Sequence, residues 1–145
     1  MNFSDLLKSF RQGSATAKSH MKNLIEIAAV DGNFDNVEYD LLKSIAKRNS
    51  ISETQLKEIR NNPSGIKFEV PADSREKFHQ LYDLVHMMSA DALIHPEEQK
   101  LTNIFAVKFG YPKEKAQDLV AMILANINNR QNPDETMKRV ELLIQ

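Results

Sequence analysis

The chain has 145 residues, 41% apolar and 27% charged, with a formal net charge of -1. That composition excludes a disordered chain, and the near-neutral charge gives no field to gather nucleic acid or anionic lipid. The absence of cysteine removes disulfides, thiol catalysis and thiolate zinc sites, and fits a reducing, cytoplasmic setting. No apolar run nears the roughly 20 residues that span a bilayer, so neither a transmembrane segment nor a signal peptide is expected. The length suits one domain over residues 1–145 with its own core.

Apolar spacing is helical nearly throughout. Phe3, Leu6, Leu7 and Phe10 share a face, giving an amphipathic helix over 1–13 that Gly13 and Ser14 should end. Deposition of that stripe on the body or on a second copy is expected, because exposing it invites aggregation. Met21, Leu24, Ile25 and Ala28 form the stripe of a second helix. Asp35 can cap the third, with Glu38 completing a capping box and Leu41, Leu42 and Ile45 inward. Either Ser50 with Glu53 or Ser52 with Gln55 can cap the fourth, which carries Leu56 and Ile59. Asn62–Gly65 is a turn signal, and Ile66, Phe68 and Val70 alternate as an extended connector with no strand partner. Asp73 and Glu76 open a long helix through Ser89, with Phe78, Leu81, Tyr82, Val85 and Met88 inward. Pro96 suits a first helical position, and Gly110 suits the residue just past a helix end. Pro112 starts a helix to about Asn129, and Asn132, Pro133 and Glu135 open the last, with Met137, Val140 and Leu143. The expectation is an all-α fold of about eight helices in a single compact domain.

The segments 24–59 and 84–119 align at an offset of 60 without a gap. Leu24 meets Leu84, Asp31 meets Asp91, Glu38 meets Glu98, Leu41 meets Leu101 and Ala46 meets Ala106. Helix ends, acidic turns and caps coincide, which suggests two divergent three-helix units packed face to face around one core.

Each unit ends its first helix on a carboxylate, Asp31 or Asp91, where the helix dipole disfavours negative charge by about 0.3–1 kcal/mol. Two readings compensate that cost. The carboxylate can accept hydrogen bonds from free N–H groups at a neighbouring helix start, a structural clasp. Alternatively Asp31, Asn33, Asp35 and Glu38 form an oxygen set suited to Ca²⁺ or Mg²⁺, with Asp91 and Glu98 as the thinner counterpart. The first turn matches the opening of an EF-hand loop and then departs from it. Asn36 stands where Gly is required and Leu42 where the bidentate Glu belongs.

The turns "AAVDGNFDNVEYDLL" and "MSADALIHPEEQKL", in a helical chain of this size, resemble the TerB-like tellurite-resistance family. There an apolar helix runs into Ala-Asp-Gly, an apolar residue, a short gap and Glu. Asp31, Gly32, Phe34 and Glu38 follow that form, as do Asp91, Ile94 and Glu98, while Ala92 replaces the Gly in the second turn. The resemblance covers the chain from about Met21 onward. It implies a helical domain with a clustered acidic site able to hold a metal ion, serving stress-response assemblies at the cytoplasmic face of the membrane. It thus implies a protein partner and peripheral membrane association.

His79, Asp83 and His86 fall on one stripe of the long helix, a pattern open to transition-metal binding or acid–base hydrolysis. The stripe lies off the Phe78–Val85 face, so a solvated polar flank is expected. No nucleophile elbow or phosphate-binding glycine motif is present. The sequence therefore reads as a non-catalytic interaction or adaptor domain. The alternative is a small metal-dependent hydrolase using His79, Asp83 and His86.

Overall fold

The computed structural model describes residues 3–29, 36–90 and 94–144, with side chains from 15 to 29, 38 to 90 and 94 to 143. Its helices are α1 (Phe3–Ala29), α2 (Asn36–Arg48), α3 (Glu53–Asn61), α4 (Ser74–Met88), α5 (Pro96–Lys108), α6 (Lys113–Asn128) and α7 (Pro133–Ile144), with a 3-10 turn at Pro63–Gly65. Among the described residues there is no strand, and the seven helices form one compact domain.

The helix count differs from expectation at Gly13. There α1 continues without a break, so the first two expected helices are one. An interior glycine costs about 1 kcal/mol relative to alanine. Arg11, Gln12, Ala15 and Ala17 around it are good helix formers, so propagation continues through it. The side chains of Phe3, Leu6, Leu7 and Phe10 lie outside the described residues, and with them the burial expected for that stripe.

Local chemistry sets the other helix ends. At α3 the Ser52 option is the cap used. The Gln55 amide donates to Ser52 Oγ (3.1 Å), and the Ser52 amide donates to Gln55 Oε1 (2.9 Å). Ser50 instead closes α2 with φ 61°. Its amide donates to the Lys47 carbonyl and the Ile51 amide to that of Ala46, which satisfies two otherwise orphaned carbonyls. The same pair of bonds recurs after α5, around Gly110 (φ 100°), and after α6, around Arg130 (φ 60°). Asn132 Oδ1 accepts the Glu135 amide at the start of α7. Asp73 occupies the cap position of α4, but its side chain makes no capping bond.

The central helix is α4, packed against α1, α2, α5, α6 and α7. It is buried on more than one face, through Phe78, Leu81, Leu84, Val85, Met87 and Met88. The connector after α3 lies on the body as expected. Phe68 stacks on Phe105 and Phe109, the Glu69 amide donates to Ser19 Oγ, and Lys22 Nζ donates to the Ile66 carbonyl.

The starts of α2 and α5, their ends, and the starts of α3 and α6 each lie sixty positions apart. Burial follows the same offset: Leu42 and Thr102, Ile45 and Phe105, Ala46 and Ala106, and Ile59 and Leu119 are all buried. The packing is also closed under exchange of α1, α2, α3 with α4, α5, α6. For example, α1 touches both α2 and α5, and α4 touches both α5 and α2.

Candidate functional site

Of the six oxygen donors expected at the acidic turns, Asp31, Asn33, Asp35 and Asp91 lie outside the described residues. Glu38 and Glu98 are described, and both are buried at 3% exposure. Each sits in the first turn of its helix, α2 or α5, where free N–H groups and the positive dipole end favour a carboxylate. Burying a carboxylate otherwise costs several kcal/mol. His95 Nε2 stands 3.9 Å from Glu98 Oε1. Thr102 Oγ1 donates to the Glu98 carbonyl one turn back within α5. Among the described residues no three His, Asp or Glu side chains converge as a metal centre.

A second cluster forms where α1, α2 and α4 meet. Asp83, expected on a solvated flank, is 4% exposed. The correction follows from the position of α4: a helix surrounded by five others has no wide solvated side. His20 on α1 is fully buried, with Nε2 2.9 Å from Asp83 Oδ2. Arg48, in the last turn of α2, donates from its guanidinium to the same oxygen. Burial pushes the Asp83 carboxyl upward. The hydrogen bond from His20 and the charges of His20 and Arg48 overcome that and hold it below the ordinary carboxylate value. Asp83 is therefore ionised, and the contact with His20 is a hydrogen bond donated from Nε2–H.

The expected stripe is thereby divided. His86 is half-buried, and burial lowers its pKa. His79 faces α7, with Nε2 4.0 Å from Asp134 Oδ1, and Asp134 also pairs with Arg75. Thr16, His20, Arg48, Glu76, His79, Gln80 and Asp83 are among the residues lining a cavity of 170 Å³, and His86 is not. His20 Nδ1 and Gln80 Oε1 are buried there without hydrogen-bond partners. The cavity is large enough for a few waters to reach them.

No sequence motif singles out His20 or Arg48. The signal for His20 was available, because Ala17, His20, Leu24 and Ile27 share one helical face and all four are buried. Arg48 carried no comparable signal, since a cation in a last helical turn is ordinary.

No family model, curated protein or solved structure matches the chain.

Proposed function

We propose that this chain is a non-catalytic interaction domain of the TerB-like kind, built from two related three-helix units. It works in the cytoplasm with a protein partner, and its acidic turns hold a divalent cation, Ca²⁺ or Mg²⁺. The observation that carries this reading is the burial of Glu38 and Glu98 at matched places, one after each acidic turn. Two carboxylates turned inward at equivalent helix starts suit inner ligands of an oxygen site completed by Asp31, Asn33 and Asp35 in the first turn and by Asp91 in the second. The sixty-residue offset of helix bounds and the exchangeable packing support the two-unit reading.

A metal-dependent hydrolase working through His79, Asp83 and His86 fits the geometry less well. One Asp83 oxygen is already held by His20 and Arg48, and His86 does not line the cavity. Among the described residues, no helix is long and apolar enough to cross a membrane, so association with a membrane surface would be peripheral.

Titration calorimetry with Ca²⁺ and with Mg²⁺ tests the site, alongside thermal melts of wild type, Asp31→Asn and Glu38→Gln. A saturable heat and a rise in Tm are expected for wild type, by mass action, and both should vanish in Asp31→Asn. No heat and no shift at millimolar cation would leave the acidic turns as structural clasps and remove the ion from the proposal.

A further inference from the structure

The outer face of α5 carries two exposed apolar side chains that the core does not require. Ile104 is 51% exposed and Val107 40%. The helix at the matching place in the other half, α2, carries exposed Ser44 and Lys47 at the corresponding positions. Both helices bury the same inward positions, so the core does not require the apolar residues on the outside of α5. Its solvent side is bounded by charge: Glu97 is exposed in the first turn and Lys108 in the last. Lys108 is also held in place, with its ammonium 5.0 Å from the centroid of the Phe68 ring.

Glu97, Leu101, Ile104 and Lys108 follow one another at helical spacings of four, three and four, and so form a single stripe. The stripe is self-complementary on reversal. Laid antiparallel against a second copy, Glu97 meets the other chain's Lys108, and Leu101 meets the other chain's Ile104. Both contacts then occur twice, as a two-fold interface requires. In parallel alignment Glu97 would face Glu97 and Lys108 would face Lys108. The charges therefore favour the antiparallel orientation, in which Glu97, 3.8 Å from Lys100 of its own chain, gains Lys108 of the other.

We propose that α5 is a homotypic docking surface, on which two copies of this chain pair through antiparallel α5 helices. The face spans three helical turns, which lies at the low end for specific interfaces. The dimer is accordingly weak and concentration-dependent. The inference stands independently of any cation at the acidic turns.

Sedimentation equilibrium up to about 1 mM protein should show a monomer–dimer equilibrium. Ile104→Glu should abolish it while leaving the melting temperature near wild type, because the side chain is exposed. Glu97→Lys and Lys108→Glu should each weaken dimerisation about tenfold, since each dimer contains two such pairs of modest worth. Combining the two swaps should restore it. Because the chain has no cysteine, crosslinking gives a second readout that does not depend on affinity. Glu97→Cys chains mixed with Lys108→Cys chains should form a disulfide-linked pair. Glu97→Cys chains alone should not, because antiparallel pairing leaves the two thiols about 16 Å apart along the helices. A monomer at every concentration, a double swap that fails to rescue, or equal crosslinking in the mixed and unmixed samples would each overturn the proposal.

Discussion

Replacing Asp83 by Asn keeps the shape of the side chain and removes its charge, so it isolates the electrostatic role of the His20–Asp83–Arg48 cluster, a clasp between α1, α2 and α4. In the native protein one carboxylate oxygen accepts from buried His20 and from Arg48. Charge-assisted bonds contribute about 1.5–3 kcal/mol each. The share from Arg48 is discounted because its side chain is 58% exposed. An amide oxygen in the same place can accept from both donors but carries no full charge, so both bonds lose their charge assistance. The expected loss is about 3 kcal/mol, at the lower end of the range for breaking a buried pair. For a domain of this size that is a fall in Tm of about 6–12 °C.

Urea unfolding of wild type and Asp83→Asn across pH measures the effect. The native carboxyl titrates below its unfolded value near 3.9. Its stabilising contribution is thus fully present above that value and is lost as pH falls through the native pKa. The gap between the two proteins should be constant near neutrality and should close in acid below about pH 4. A substitution costing less than about 0.5 kcal/mol at pH 7, or a gap that persists undiminished in acid, would refute the assignment of Asp83 as an ionised clasp.

Further predictions follow from the helix ends. Ser52→Ala removes one half of the α3 capping box and should cost about 1 kcal/mol in chemical denaturation. Ser50→Gly should stabilise, by up to about 1 kcal/mol, because Ser50 holds φ 61° and an L side chain there is strained. Gly110→Ala should destabilise by a similar amount through backbone strain alone, since the nearest atom to an added Cβ is Lys77 Nζ at 3.9 Å. Equal stability of Gly110→Ala and wild type would show that the turn relaxes freely. Glu38→Gln should lower the melting temperature with or without added cation, because an amide at a buried first-turn position loses the helix-dipole interaction.

Much of the fold was legible because its signals are local. Ser52 with Gln55, Asn132 ahead of Pro133 and Gly110 past a helix end each satisfy backbone groups within a few residues, and Pro96 at a helix start removes a donor that would lack a partner, so spacing alone exposes them. Gly13 misled because a single unfavourable residue is weighed against an entire helix, and the sequence shows only the residue. Asp83 misled for a different reason. Its helix is enclosed by neighbours that come from both ends of the chain, and no periodicity within fifteen residues reveals how many sides will be covered. His20 sat on a recognisable apolar face, but its partner is 63 residues away, a pairing that only tertiary packing brings about.

The clasp also bears on which helices choose each other. Because α1 and α4 make matching sets of helix contacts, mispairing would pack α1 on the α1 of another molecule or α4 on another α4. The position sixty residues from His20 is Gln80, and that from Asp83 is Asn23; both are buried. An α1–α1 crossing would set His20 against Asn23, and an α4–α4 crossing would set Asp83 against Gln80, facing the buried carboxylate with an uncharged amide. Only the α1–α4 crossing joins His20 to Asp83 and lets Arg48 reach the pair. A single unlike pair between α1 and α4 thus disfavours like-with-like helix pairings, because only the unlike crossing satisfies the buried carboxylate.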